Sequence, residues 1–304
     1  MSEFHFPAVL LDNVARAKMT VSCRDCDSIP KVDQAGEIVV VDGRQIQIMH
    51  NGVRVIAGGY YGEWMTDIIR RLRGHHEPQE EMIFHEIMKL IPPHATMMEL
   101  GGFWSYYSLW FVSAHSDQRR AIVVEPDPNH LAVGRANAAL NGREISFIQA
   151  SVGSEPIPHH TFKTESAGEI QIPQISVPFC LEERGICVLD ILHCDTQGAE
   201  TDIIASCEDL FRNHKIRFGI FSTHSHHISG DPLTHQRCLA MLQAFGGTIL
   251  AEHDVHESFS GDGLIAAYFG HEPIEWREPQ ISRNRYSTSL FRNPLFDLAC
   301  KGSR

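Results

Sequence analysis

The chain has 304 residues, of which 43% are hydrophobic and 21% charged, so the composition predicts a folded protein with a buried core and excludes a largely disordered one. The formal net charge of -12 argues against a protein that binds nucleic acid non-specifically, because such binding needs a broad basic face. The sequence contains neither a basic-then-apolar leader nor an apolar run of membrane-spanning length, so we expect a cytoplasmic protein without membrane contact and with reduced cysteines.

Residues 1–74 are predicted to form an N-terminal extension. Two turn signals, Asp42-Gly43 and Asn51-Gly52, are flanked by β-branched residues and predict a small β-meander. A helix is expected over residues 63–73, where the pattern ends at a glycine.

Residues 75–272 are predicted to form one α/β domain. An amphipathic helix is expected over residues 77–91, with Pro78 in its first turn. Strand-length apolar runs then alternate with helical patterns, and two late runs, 248–254 and 263–269, fit antiparallel strands at one edge. The alternation predicts a Rossmann-like fold, a mainly parallel sheet with helices on both faces. In such sheets ligands bind beyond the carboxyl ends of the strands.

Residues 273–304 are expected to form a C-terminal tail. The tail is rich in arginine, serine and aromatic residues, and Arg283 and Arg285 are candidates for contact with an anionic acceptor. Folding over the site and formation of a homodimer are both compatible with this composition, although a segment packed on the surface is the commoner outcome.

The first strand of the α/β domain ends at Glu99, which is followed by Gly101. A glycine at this turn lets a ligand approach the backbone, and the amides at the start of the next helix can bind an anionic group. An acid just before the glycine does not suit a pyrophosphate, but it suits a ligand with an ammonium group, such as the amino-acid end of S-adenosylmethionine. The GxGxxG spacing of a dinucleotide site is absent.

The next strands also end in polar residues. Glu125 and Pro126 end the second strand, where an acid can accept hydrogen bonds from both hydroxyl groups of a ribose. The simpler interpretation of this region is that Asp127 or Asn129 caps the following helix. The third strand ends at Gln149, Ala150 and Ser151, which are the candidates for contact with an adenine. Asp195 stands at the tip of the fourth strand and is a further candidate for contact with the cofactor.

Three segments form a recognisable set: "ELGGFWSYYS", "VEPDPNHLAVGRAN" and "CDTQGAE". They are similar to an acid-x-Gly segment with an aromatic helix start, to "EPxP" and to "DxEGAE", and together they resemble the FkbM family of class I S-adenosylmethionine-dependent methyltransferases. The resemblance covers roughly residues 75–270. It implies a class I methyltransferase fold, S-adenosylmethionine as the cofactor, and cofactor contacts from Ser105 and from an early glutamate, Glu80.

The chain departs from the family pattern at three positions. Ser105 stands where the family usually has a glycine, and Trp104 where it often has a smaller residue. Both changes could tighten the loop and weaken the affinity for the cofactor. Gln197 replaces the usual glutamate and removes one negative charge from the catalytic end, whereas Asp195 is retained.

Histidines concentrate after two late strands. A histidine with a near-neutral pKa can act as a general base on a hydroxyl group. Because an alcohol acceptor must lose its proton, Asp195 and His224 are the predicted catalytic residues. A divalent metal held by histidines and aspartates is a less favoured alternative, and a polar loop of solvated histidines is the simplest one. The histidines predicted to contact the substrate are His226, His227 and His256.

The sequence therefore predicts an S-adenosylmethionine-dependent methyltransferase. The family resemblance implies O-methylation of a small-molecule or glycan-type acceptor, and nucleic acid is not expected as a partner. Three alternatives stay open: a nicotinamide-dependent oxidoreductase, a metal-dependent hydrolase that uses the histidines, and a non-catalytic module with a degenerate cofactor site.

Overall fold

The computed structural model describes residues 13–115 and 118–291. Its N-terminal part contains helix α1 (Asn13–Ser22), a short 3-10 helix (Asp25–Ser28), strands β1 (Ile38–Val41), β2 (Arg44–Ile48) and β3 (Arg54–Ile56), and helix α2 (Glu63–Arg71). The three strands form an antiparallel sheet, which confirms the predicted meander. Asp42 and Gly43 have φ of 49° and 78°, the sign that a tight two-residue hairpin turn requires.

After α2 the chain alternates between strands and helices, as predicted. None of the helices in the described ranges is long and apolar enough to cross a membrane. In chain order the elements are α3 (Pro78–Met88), β4 (Thr96–Leu100), α4 (Tyr106–Ala114), β5 (Arg120–Val124), α5 (Pro128–Leu140), β6 (Ser146–Ile148), β7 (Ser151–Val152), β8 (Ile157–Lys163), β9 (Glu169–Ile175), α6 (Val177–Glu183), β10 (Leu189–Cys194), α7 (Glu200–Ser206), α8 (Glu208–Arg212), β11 (Ile216–Thr223), α9 (His226–Ser229), α10 (Thr234–Ala244), β12 (Thr248–His253) and β13 (Gly263–Tyr268).

The central sheet has the strand order β12-β13-β11-β10-β4-β5-β6. Strands β6, β5, β4, β10 and β11 are parallel, and β13 is antiparallel between β11 and β12. The predicted antiparallel pairing of the last two strands is therefore confirmed. The chain runs outward from β4 to β6 and then returns to β10 on the other side of β4, which creates a crevice at the carboxyl ends of β4 and β10. This is the Rossmann-like arrangement that the sequence predicted.

A third sheet, which has three strands, was not predicted. It lies between β6 and β10 in the chain and has the strand order β7-β9-β8. Strand β6 ends at Ile148, and Ser151, which was predicted to lie at the end of that strand, belongs to β7 of the third sheet instead. The β8–β9 hairpin carries residues 162–165 to the crevice.

The N-terminal extension packs against the α/β domain. Met49, Val55 and Ile68 belong to the same hydrophobic cluster as Phe84 and Trp110. Because side chains from both sides of the predicted boundary at residue 74 share this cluster, the extension contributes directly to the core.

The described part of the C-terminal tail, residues 273–291, lies on the surface. The Ser282 carbonyl accepts a hydrogen bond from Nε2 of Gln79 at 2.7 Å, and the Ser282 amide donates to Asp25 at 2.8 Å. Arg283 forms an ion pair with Glu257. The predicted tail also includes residues 292–304, which lie outside the described residues.

Candidate active site

A cavity of about 450 Å³ lies beyond the carboxyl ends of β4, β5 and β10, where the strand order reverses. Open α/β sheets bind ligands at this place, and the volume is in the range of small-molecule sites. The predicted residues that line the cavity are Glu99, Gly101, Glu125, Pro126, Ser151 and Asp195. The predicted residues outside its lining are Glu80, Ser105, Gln149, Ala150, His224, His226, His227 and His256.

Glu99 is a buried carboxylate at the end of β4, with 3% of its surface exposed. Its Oε2 accepts a hydrogen bond from the Ser108 amide of α4 at 2.9 Å. Burial raises the pKa of the Glu99 carboxyl, and the neighbouring His193 acts in the opposite direction. The site therefore holds one acceptor-rich side chain in a fixed orientation beside the glycine turn.

Gly101 is required by the neighbouring strand. It has a φ of 72°, and a β-carbon added to it would lie 1.7 Å from the carbonyl oxygen of Asp195. The sequence interpretation assigned the glycine to close approach of a ligand. The structure gives a further reason, because the backbone that follows β10 occupies the space of any side chain.

Ser105 and Trp104, the departures from the family pattern, have different consequences. Ser105 is fully buried in the left-handed region, with a φ of 62° and a ψ of 35°, where a glycine is normally favoured. Its hydroxyl has no hydrogen-bond partner among the described residues. Trp104 lines the cavity and stacks on Tyr60, with ring centroids 4.5 Å apart and planes 3° apart.

Glu125, at the end of β5, is held by two backbone amides. It accepts hydrogen bonds from the Asp127 amide at 2.8 Å and from the Phe103 amide at 3.0 Å. Burial raises the pKa of the Glu125 carboxyl to about 7, although both amides lower it. Asp127 caps α5, as the simpler interpretation of this segment predicted. Glu125 is thus a fixed carboxylate in the cavity wall and not a helix cap.

The three residues predicted to contact the adenine lie in different surroundings. Ser151 lines the cavity, and its Oγ lies 2.8 Å from Nδ1 of His160 on β8. Ala150 is fully buried in the core, and Gln149 makes a long hydrogen bond of 3.4 Å to the Pro126 carbonyl. Ser151 is therefore the member of this group that can reach a ligand.

Asp195 and His224 are brought together, but only Asp195 faces the cavity. Nε2 of His224 lies 3.1 Å from Oδ1 of Asp195, and Nδ1 lies 3.0 Å from Oε1 of the buried Glu200. Burial lowers the pKa of His224, but the Glu200 and Asp262 carboxylates outweigh this effect and raise it well above its usual value. His224 is consequently a buried imidazolium that fixes carboxylates.

The other predicted histidines lie around the site. His226 and His227 stack on each other in α9 with ring centroids 4.4 Å apart. This short helix packs behind the Gln197–Gly198 turn, since a β-carbon on Gly198 would lie 2.8 Å from the α-carbon of Ser229. His256 is buried, and its ring centroid is 5.6 Å from that of Tyr286 in the tail.

His193 lines the cavity and was missed by the sequence analysis. Its Nε2 lies 2.7 Å from Oε1 of Glu80, so the early glutamate contacts His193 behind the cavity wall. The signal was present in the sequence, because His193 and Asp195 are two residues apart, and alternate residues of a strand point to the same face.

The N-terminal extension and the start of α3 supply another part of the wall that was not predicted. Tyr60 and Tyr61 come from the turn before α2. Glu77 accepts a hydrogen bond from the Tyr107 hydroxyl at 3.3 Å and pairs with His76 at 3.2 Å. Burial opposes the charge of His76, but Glu77 and Glu81 outweigh it and raise the pKa of His76 to about 10.

Only one group of side chains within residues 13–115 and 118–291 is close enough to hold a metal ion, and it contains none of the histidines and aspartates of the less favoured metal alternative. It consists of His50, His75 and Glu81, all buried. The two imidazole rings are stacked, with centroids 4.3 Å apart and planes 16° apart. Their in-plane lone pairs therefore do not converge on one point as metal ligation requires.

Comparison with family models covers most of the α/β domain. Residues 94–248, more than half of the chain, match the family described as the methyltransferase FkbM domain. No curated protein matches the sequence.

Similar solved structures include TrmK from M. capricolum with S-adenosyl-homocysteine, at 13% identity and a TM-score of 0.40, covering 64% of this chain and 71% of that one. They also include an FkbM methyltransferase from Methylobacillus flagellatus KT, at 15% identity and a TM-score of 0.44. That match covers 66% of this chain but only 52% of the other. Identification rests on the family match, which covers more than half of the chain. The chain belongs to the FkbM methyltransferase family, whose methyl donor is S-adenosylmethionine.

Proposed function

We propose that the protein transfers the methyl group of S-adenosylmethionine to a hydroxyl oxygen of a small-molecule or sugar-containing acceptor. One observation carries the proposal. Glu99, Glu125 and Asp195 end three adjacent strands, β4, β5 and β10, and open into one cavity of about 450 Å³. Glu99 and Glu125 lie on the neighbouring strands β4 and β5, which suits two groups of one extended cofactor.

Each carboxylate suits one part of the cofactor. Glu99 would bind the ammonium group of the methionine part, and Glu125 would accept hydrogen bonds from the ribose hydroxyls. Ser151 lies beyond Glu125 in the wall and would contact the adenine. The aromatic ring of Phe103 stacks on His130 next to Glu125, with centroids 3.5 Å apart, and supplies an apolar surface there.

Methyl transfer requires that the reacting groups are aligned and that water is excluded. The cofactor supplies a methyl group on a positively charged sulfur, which is a good leaving group. The protein must align the acceptor oxygen with that methyl group and accept the hydroxyl proton. Asp195 is the proposed proton acceptor because its carboxylate is 24% exposed and lines the cavity. His224, paired with Asp195 and Glu200, is the proposed positioning residue rather than the base.

The charges of the wall favour an acceptor without phosphate groups. Lys163 is the one lysine or arginine in the described lining. A phosphate-bearing acceptor would face like charges and would lose affinity. The carboxylates of the wall are Glu77, Glu99, Glu125, Asp127, Glu165, Asp195 and Asp202.

The acceptor side is assigned to residues outside the matched family segment. Tyr60, Tyr61, His76 and Glu77 line the cavity but precede residue 94. Because the family shares its methyl donor, the part of the wall that lies outside the matched segment suits the variable acceptor. The stacked pair of Tyr60 and Trp104 would form a flat apolar surface for a ring.

Calorimetric titration with S-adenosylmethionine tests the proposal. The wild type should bind with micromolar affinity, Glu125→Ala should lose binding, and the exposed control His94→Gln should keep it. Transfer is then measured with methyl-labelled cofactor and a panel of mono- and disaccharides and polyols.

The outcomes separate the alternatives. Binding of NAD in place of S-adenosylmethionine would overturn the proposal in favour of an oxidoreductase. Cofactor binding without transfer to any member of the panel would favour the non-catalytic module. Transfer only to phosphate-bearing acceptors would contradict the argument from the wall charges.

A further inference from the structure

His193 of β10 is a buried cavity residue to which the proposed reaction assigns no role. The side chain is 3% exposed and lines the cavity, with its ring 4.4 Å from that of Tyr107. Oε1 of Glu80 lies 2.7 Å from Nε2, and Oε2 of the same carboxylate accepts a hydrogen bond from the Ser222 hydroxyl at 2.8 Å. The imidazole is therefore held in one orientation from behind the wall.

The other ring nitrogen of His193 has no partner. Nδ1 is buried and makes no hydrogen bond to any residue within 13–115 and 118–291. The carboxylate of Glu80 holds a proton on Nε2. Burial opposes a second proton, but the bond to Glu80 and the charges of Glu80, Glu99 and Asp195 raise the pKa of His193. Nδ1 is then an N–H donor, and a buried donor without an acceptor is unfavourable. No described residue supplies that acceptor, and a ligand in the cavity that His193 lines is the candidate to supply it.

Glu99 is the register partner of His193 in the parallel pairing of β4 and β10. Partners on adjacent parallel strands point to the same face of the sheet, so a carboxylate and an imidazolium stand side by side at this end of the cavity. The amino-acid part of S-adenosylmethionine carries an ammonium and a carboxylate group on one carbon atom. The two charges of the wall complement the two charges of the ligand.

We propose that His193 binds the carboxylate of the amino-acid part of S-adenosylmethionine while Glu99 binds its ammonium group. Glu80 is the positioning residue that acts through His193. The assignment rests on the proposed function, since it needs this cofactor in the cavity. It makes the site selective for a ligand with an intact amino-acid end.

Two ligands separate the contact of His193 with the amino-acid part from the contacts of the adenosine part. S-adenosylhomocysteine has the amino-acid part, whereas 5′-methylthioadenosine has the adenosine and the sulfur but lacks it. His193→Gln should weaken binding of S-adenosylhomocysteine by about 10- to 100-fold, the effect of losing a charge-assisted hydrogen bond. Binding of 5′-methylthioadenosine should change by less than about 2-fold. His94→Gln, at an exposed position, should change neither.

Glu80→Gln tests the positioning role. Made in the wild-type protein, this substitution should lower the preference for S-adenosylhomocysteine over 5′-methylthioadenosine. Made in the His193→Gln variant, it should have no further effect, because Glu80 acts through the imidazole. An equal loss in both backgrounds would contradict that role.

A comparison that needs no variant uses decarboxylated S-adenosylmethionine, which keeps the ammonium group. It should bind the wild type at least about 10-fold more weakly than S-adenosylmethionine. Equal affinity would overturn the proposal, as would an unchanged ligand preference in His193→Gln. If the wild type binds neither S-adenosylhomocysteine nor 5′-methylthioadenosine, the proposed function itself fails.

Discussion

The α-carbon of Gly101 lies against the carbonyl oxygen of Asp195, so close that a β-carbon on Gly101 would come within 1.7 Å of that oxygen. The Asp195 amide also donates a hydrogen bond to the Leu100 carbonyl at 2.9 Å. The ends of β4 and β10 are therefore locked together backbone to backbone. This contact sets the position of the catalytic candidate relative to the glycine turn.

Replacement of Gly101 should unfold or severely destabilise the protein. In Gly101→Ala the new methyl group would overlap backbone atoms, which cannot turn away as a side chain does, so we expect a loss of at least about 4 kcal/mol. Gly142→Ala is the matched control, since Gly142 also has a positive φ but has nothing within 4 Å of its missing β-carbon. It should cost only about 1 kcal/mol. Urea denaturation of both variants measures the difference, and similar losses would contradict the steric explanation.

Ser105→Gly should stabilise the fold. A serine in the left-handed region costs about 1 kcal/mol relative to glycine, and its buried hydroxyl has no partner among the residues described. The gain should be about 1 kcal/mol after the greater chain entropy of glycine is subtracted. Ser105→Ala removes the hydroxyl but keeps the backbone strain, so it should recover less. A destabilised Ser105→Gly would show that the loop is not strained.

Binding of the ribose should depend on the protonation of Glu125. The pKa of the free carboxyl is about 7, raised mainly by burial, and only the ionised form offers all its lone pairs to ribose hydroxyls. Affinity should therefore fall as the pH is lowered, by about 10-fold between about pH 8 and about pH 6. 5′-Methylthioadenosine is the suitable ligand because it avoids the amino-acid subsite. Titration calorimetry of Glu125→Gln should give weaker binding with little pH dependence, and an unchanged slope would assign the proton to another group.

His224 should stabilise the fold through its charge. Replacement by Gln leaves the buried Glu200 and the nearby Asp262 and Asp195 without their cation, which should cost about 3 to 5 kcal/mol at neutral pH. Because the pKa of His224 is raised in the folded state, its contribution is complete below its unfolded pKa and is lost as the pH rises through the folded value. Urea midpoints should therefore converge for wild type and His224→Gln at alkaline pH. His94→Gln controls for the loss of an exposed histidine, and a constant gap at all pH values would contradict the ionic role.

Local sequence patterns were sufficient for most of the fold. The turn at Asp42-Gly43, the helix start at Pro78 and the apolar run of β4 each depend on neighbours within a few residues. Their strands and helices were therefore predicted from the sequence. The hairpin of β8 and β9 was not, because its exposed residues carry only a weak alternating pattern.

The residues of the candidate site also fall into those that the sequence predicted and those that it did not. By itself the sequence determined which residues end the parallel strands β4, β5 and β10, and so it identified Glu99, Glu125 and Asp195, because strand ends in such a sheet converge on one crevice. Ser151 also lines the cavity, but it does so from the third sheet. Only the tertiary structure decided what stands beside them. Residues distant in the chain meet there, such as Glu80 behind His193 and Tyr60 on Trp104. Their contacts depend on how the helices and the N-terminal extension pack against the sheet, and no local pattern encodes that packing.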